Sequence, residues 1–130
     1  MIMIQISSVL KVADNSGARI LFCIHTPKEA KRLGAFPGML IRASVRRVIL
    51  RKKLKKSRVL KEGQLCTALV VRTVYGFKRW GNFFFSASSN SVVLVNKYLL
   101  PVGSRLFGPI FREIRSKKFF KIIAKSEVAL

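Results

Sequence analysis

The sequence predicts a mainly β protein, and three observations carry that prediction. Apolar residues alternate with a period of two along the first half of the chain. Clusters of Gly, Pro, Asn and Asp separate the alternating stretches. A helical period appears only near the C-terminus. At 130 residues the chain has the length of one compact unit, and no Pro/Gly/Ser-rich linker divides it. One domain is therefore expected over residues 1–130, with the β part over about 1–100 and a loop and helical region over about 101–130.

In chain order, Ile4, Ile6, Leu10 and Val12 share one face of a first extended segment, and Ala18, Ile20, Phe22 and Ile24 share one face of the next. Asp14-Asn15-Ser16-Gly17 lies between them. Asp and Asn can bond their own backbone and Gly tolerates positive φ, so the chain reverses there as a hairpin, with Gly17 at positive φ. Pro37-Gly38 opens a third strand in which Met39, Ile41, Ala43 and Val45 alternate with Leu40, Arg42, Ser44 and Arg46, leaving the charged face outward. Lys61-Glu62-Gly63-Gln64 is a further turn. Leu65 to Val71 is a continuous apolar run that suits a strand buried on both faces. A second hairpin pairs Tyr75 to Arg79 with Phe83 to Phe85 around Trp80-Gly81-Asn82. Ser91 to Val95 is another strand, and Pro101, Gly103, Gly108 and Pro109 punctuate the loop after it. From Lys117 to Lys125, Phe119, Ile122 and Ile123 fall on one helical face and Lys118, Lys121 and Lys125 on another. That amphipathic helix is expected to dock on the β part with its lysines outward.

Charge identifies the partner. The chain holds 26 Lys and Arg against 5 Asp and Glu, a net +21, yet is 50% hydrophobic. Basic disordered tails reach such charge by giving up apolar residues, whereas this chain keeps enough to bury a core. A compact body so charged repels itself and calls for a polyanion, so the composition reads as a folded domain built to sit among phosphates. Arg51 to Arg58 places six cations in eight residues. Such runs often end as solvated loops, but here RNA contact is the favoured reading. At the second hairpin's tip, Lys78, Arg79, Trp80 and Phe83 form the basic and aromatic mixture that stacks on splayed bases. Core or strand-pairing roles for those aromatics are the favoured alternative.

Other function classes fall away. Cys23 and His25 form a Cys-x-His pair, but a zinc site normally draws four ligands and the chain has one His, so no metal is expected. Cys23 and Cys66 read as reduced, packed thiols. Met1 to Leu10 carries no basic residue, which argues against a secretory signal or a transit peptide. Phe83 to Asn96 is too short and too rich in Ser and Asn to span a bilayer, so no membrane partner is expected. The five acids, Asp14, Glu29, Glu62, Glu113 and Glu127, are scattered, and no nucleophile elbow or phosphate loop occurs, so neither an enzyme nor a cofactor is expected. Glu113 reads as an ion-pair partner for Arg112 and Arg115.

Five colinear segments carry a family resemblance: Val12-Ala13-Asp14-Asn15-Ser16-Gly17-Ala18-Arg19, Ala68-Leu69-Val70-Val71-Arg72-Thr73, Gly103-Ser104-Arg105-Leu106-Phe107-Gly108-Pro109, Arg112-Glu113-Ile114-Arg115-Ser116 and Lys118-Phe119-Phe120-Lys121-Ile122-Ile123. In this order they resemble the universal large-subunit ribosomal protein fourteen family, of bacterial or organellar type. The resemblance implies a small closed five-stranded β-barrel with a projecting β-hairpin and a short C-terminal helical region. It implies a structural role on large-subunit rRNA at the intersubunit face, bridging to small-subunit rRNA, beside large-subunit proteins three and nineteen and under a ribosome silencing factor. The alternative is a free-standing barrel that binds single-stranded RNA.

On this reading the expected rRNA contacts are Arg19, Arg46, Arg47, Arg72, Lys78 and Arg79, the run Arg51, Lys52, Lys53, Lys55, Lys56 and Arg58, and Arg112, Arg115, Lys117 and Lys118. Ser104, Arg105 and Lys121 match the family's protein-docking face, Ser104 standing where Thr is usual. The basic run exceeds the bacterial pattern by several residues, Gly81-Asn82 replaces the usual Asp-Gly, and Ala87 stands where an aromatic is usual. The extreme charge and the 10 Phe point to an organelle-encoded, mitochondrial protein, with plastid or bacterial cytoplasm as the alternative.

Overall fold

The computed structural model describes residues 4–27, 34–49, 60–117 and 119–130, so the run Arg51 to Arg58 and Lys118 lie outside the described residues. Among those described, the strands are β1 (Val9–Val12), β2 (Ala18–His25), β3 (Leu40–Val48), β4 (Leu65–Arg72), β5 (Phe77–Lys78), β6 (Phe84–Phe85) and β7 (Ser91–Val95). A closed barrel forms in the order β1-β2-β3-β4-β7. Its neighbours are antiparallel except at the closure, where β7 lies parallel to β1 with Lys11 opposite Ser91 and Val12 opposite Val92. Closure leaves the barrel without an open sheet edge. The hairpin β5-β6 lies within the connection between β4 and β7.

Two hydrophobic clusters organise the molecule. The inner one fills the barrel with Leu10, Leu21, Cys23, Ile41, Ala43, Val45, Ala68, Val70, Val92 and Leu94. The outer one sets Leu69, Val71, Val93 and Val95 against Leu106, Ile110, Ile114, Phe119 and Ile122. This division explains the continuous apolar runs. In β4, Ala68 and Val70 point inward while Leu69 and Val71 point outward under the C-terminal segment, and β7 divides in the same way. The expectation of two buried faces therefore holds for Ala68 to Val71. Leu65, at the uncovered start of β4, is 67% exposed. The segment that covers β4 and β7 contains a 3₁₀ helix (Arg112–Lys117) and α1 (Phe120–Lys125), a shorter α-helix than the periodicity predicts. Its facing is as expected: Phe119 and Ile122 are buried, Ile123 is half-buried, and Lys121 and Lys125 are exposed. Among the described residues no helix is long and apolar enough to cross a membrane.

Two strand assignments need correction. Ile6 does not share the face of Ile4 and Leu10. The chain turns at Ile6-Ser7, with Ser7 at φ 73°, and Ile6 is 60% exposed. In β2 the inward residues are Ala18, Leu21 and Cys23 rather than Ala18, Ile20, Phe22 and Ile24. The cause is a bulge: the register with β3 shifts between Ala18 and Ile20 and again between Ile20 and Leu21. One extra residue in a strand reverses the facing of everything after it. The second hairpin is also shorter than expected, since pairing is confined to Phe77 with Phe85 and Lys78 with Phe84.

Candidate nucleic-acid interface

The tight turn between β1 and β2 is the best-tied element of the surface. Asp14 is buried, and its Oδ1 accepts from the Ser16 backbone N–H (3.0 Å) and hydroxyl (2.5 Å), while its Oδ2 accepts from the Leu94 N–H of β7 (3.1 Å). Burial raises the Asp14 pKa above the ordinary carboxyl value, and these hydrogen bonds oppose the rise. Gly17 holds φ 105°, the left-handed backbone expected of it. Asn15 then reaches across to the loop after β7. Its Oδ1 accepts from the N–H groups of Ser104 (2.8 Å) and Arg105 (3.2 Å), and its Nδ2 donates to the Ser104 hydroxyl at 2.8 Å. A Cβ at Gly103 would lie 2.8 Å from Asn15 Oδ1, so that position needs the missing side chain.

This latch shapes the expected docking face. Ser104, Arg105 and Lys121 are all exposed. The loop and the helix that carry them converge, because Lys125 Nζ donates to the Gly103 carbonyl at 3.1 Å and Arg105 lies 3.7 Å from Glu127. The second contact is an exposed ion pair and adds little stability.

The expected RNA-contacting cations divide into outward and inward sets. Arg19, Arg46, Arg47, Lys78, Arg112 and Arg115 are exposed, and Arg46 is braced over the Phe22 ring at 4.5 Å. Lys117 closes the 3₁₀ helix. Arg72 and Arg79 instead turn into the fold. Arg72 donates to the carbonyls of Phe107 (2.9 Å) and Pro109 (2.7 Å) and to Ser91 Oγ (3.2 Å), and burial lowers its pKa. Arg79 makes a bidentate pair with Glu113 at 2.6 and 2.7 Å and lies over the Phe85 ring at 4.1 Å. The assignment of Glu113 to Arg112 and Arg115 is corrected accordingly: its bidentate partner comes from the hairpin, 34 residues away. The expected contact set leaves out other exposed cations, among them Lys11 and Arg42, although the alternation of the third strand already turns Arg42 outward. Lys11 stands between buried Leu10 and half-buried Val12, and the same alternation is the signal that could have found it.

The hairpin aromatics are not core. Trp80 is 98% exposed, and Phe83 and Phe84 are also exposed around Gly81 (φ 79°) and Asn82 (φ 61°). Phe84 does take part in strand pairing, opposite Lys78. Cys23 is buried with its thiol on the His25 carbonyl at 4.0 Å, and burial pushes the Cys66 thiol up to about 11. Among the described residues no three His, Cys, Asp or Glu side chains cluster as a metal site.

A closed five-stranded barrel with strongly cationic outer strands defines this chain as a small basic β-barrel protein. It belongs to the family of ribosomal protein L14p/L23e, whose model matches residues 3–130, and its role is that of a ribosomal structural protein rather than an enzyme. Among its relatives, the large ribosomal subunit protein uL14m of Acanthamoeba castellanii is 54% identical over 129 residues, covering 98% of this chain and all of that protein. The protein of the same name in Acanthamoeba polyphaga is 54% identical over 114 residues, covering 88% of this chain and 98% of the relative.

Proposed function

We propose that the chain is a structural component of the large subunit of the mitochondrial ribosome, anchored in large-subunit rRNA. The relatives' names support the subunit and the organelle. The observation that carries rRNA binding is the use of the acids. Of the four described acids, Asp14 is consumed in its turn, Glu113 by Arg79 and Glu127 by Arg105, which leaves Glu62 in the turn before β4, while Arg19, Arg42, Arg46 and Arg47 stand on the barrel's outside with no ion pair among the described residues. The unopposed field attracts phosphate. The run Arg51 to Arg58 adds six cations to the chain's charge. Residues 1–130 act as one unit, because the C-terminal segment has its apolar face against β4 and β7.

Ser104, Arg105 and Lys121 form the face offered at the subunit interface. There the family resemblance supplies small-subunit rRNA, large-subunit proteins three and nineteen and a silencing factor as partners. Sedimentation through a sucrose gradient tests the assignment: tagged protein travels with large subunits, and a chain found only at the top of the gradient is instead the free-standing RNA-binding barrel. The double variant Arg105→Glu, Lys121→Glu keeps its place in the subunit but loses recovery of the silencing factor, since rim charges govern encounter more than folding.

A further inference from the structure

The bulge in β2 has a second effect: it turns Ile20 away from the barrel interior, onto the outside. There Ile20 joins Val12 of β1, Ile49 beyond β3 and Phe107 of the C-terminal loop in lining an open cleft of about 510 Å³. Lys11, Arg19 and Arg47 line it too, all exposed and without an ion pair among the described residues. Asp14 is the one acid on the lining, and both its oxygens are engaged, by Ser16 and by Leu94. The backbone of Phe107 is pinned, and the Arg105 guanidinium lies 5.7 Å from the centre of its ring. The Phe107 N–H donates to the Ala13 carbonyl at 2.7 Å, and its own carbonyl accepts from Arg72, yet 45% of the residue is exposed.

We propose that this cleft is a nucleotide-binding site that takes one splayed nucleotide of rRNA, its base on Phe107 and the aliphatic floor and its flanking phosphates on Lys11, Arg19 and Arg47. This deepens the rRNA-binding reading above and rests on it. Cations alone would suit phosphate anywhere on the surface. What singles out this place is an apolar floor with an aromatic on a pinned backbone inside a cationic rim, which matches a molecule with one flat apolar part and charge on either side. The volume lies in the range of small-ligand sites, more than a lone phosphate fills. Because the N–H and the carbonyl of Phe107 are both bonded, its backbone has little order to gain on binding.

The test uses the full chain and a transcript of its own large-subunit rRNA carrying 4-thiouridine, with ultraviolet cross-linking read by mass spectrometry and affinity measured across a salt series. The expected result is a nucleotide adduct on residues 106–112. Phe107→Ala should weaken binding about tenfold without changing the salt slope, because stacking releases no counterions, and Phe107→Trp should restore it. Arg47→Gln should instead lower the slope by about 1. If Phe107→Ala does not fold, Phe107→Leu keeps the bulk, removes the aromatic face and carries the same expectation. A folded variant that binds as tightly as the parent chain, with adducts only elsewhere, overturns the cleft while leaving rRNA binding intact. Failure of the parent chain to bind the transcript overturns the rRNA-binding reading itself. A cross-link from this cleft to a protein within the intact large subunit assigns it to a polypeptide and overturns the proposal.

Discussion

The two sides of this barrel make opposite use of the same strand geometry. On β4 and β7 the outward residues Leu69, Val71, Val93 and Val95 are buried beneath the C-terminal segment. On β1, β2 and β3 the outward positions include Lys11, Arg19, Arg42, Arg46 and Arg47, all facing solvent. The one arginine of β4, Arg72, has its guanidinium drawn into backbone carbonyls rather than offered outward. A small closed barrel can thus gain a second core on one side and keep the other for charge, and each side's outward residues show which use it serves.

The strongest way to break this contrast is to damage the covered side. Ile114→Ala removes a fully buried side chain from the outer cluster and should cost about 2–5 kcal/mol, seen as a single lowered melting transition. An unchanged barrel transition would mean that the C-terminal segment is an appendage rather than half of the structure.

A smaller effect is expected at the seam between the sides, where Asp14 of the β1-β2 turn accepts from Leu94 of β7. Its folded-state pKa is raised by burial, so the native state holds the proton more tightly than the unfolded chain does. Stability from this group is therefore present below the ordinary carboxyl value and is lost as pH rises from that value through the raised one. Melting temperatures followed over that acidic window should fall with rising pH in the parent chain, and this component should vanish in Asp14→Asn. The same slope in both proteins would show that Asp14 is not its source.

The smallest stability effect belongs to the charged side. Arg42→Gln and Arg46→Gln together should change stability by no more than about 0.5 kcal/mol. They should also lower the salt slope of rRNA binding by roughly 0.9 for each phosphate that is no longer neutralised. Unfolding of this double variant would mean that the outward arginines are structural, Arg46 through its position over Phe22.

Much of this arrangement is legible in the chain itself. Asp14 to Gly17 announces a turn because its residue types tolerate the required backbone and bond to it, and Gly17 does take positive φ. The alternation of β3 separates Ile41, Ala43 and Val45 from Arg42 and Arg46 without reference to any other segment. The inward face of β2 is not legible in this way, because a bulge leaves no local signature: Phe22 and Cys23 are equally apolar, and only pairing with β3 decides which turns in. The Arg79–Glu113 pair is hidden for a related reason, since Arg112 and Arg115 are near in sequence while the true partner is brought close by the fold.

By itself, then, the sequence determined the fold class, the family, the turns and the excess of positive charge, all of which follow from residue type and local spacing. Tertiary structure alone decided the rest: which outward residues are covered, which arginines are drawn inside, and that Asn15 shapes the loop of Ser104 and Arg105 from 89 residues away. It also decided that Ile20, Ile49 and Phe107 line one cleft. The physical reason is that burial and hydrogen bonding depend on which groups closure of the barrel brings together. A long-range pairing has no period for the sequence to display.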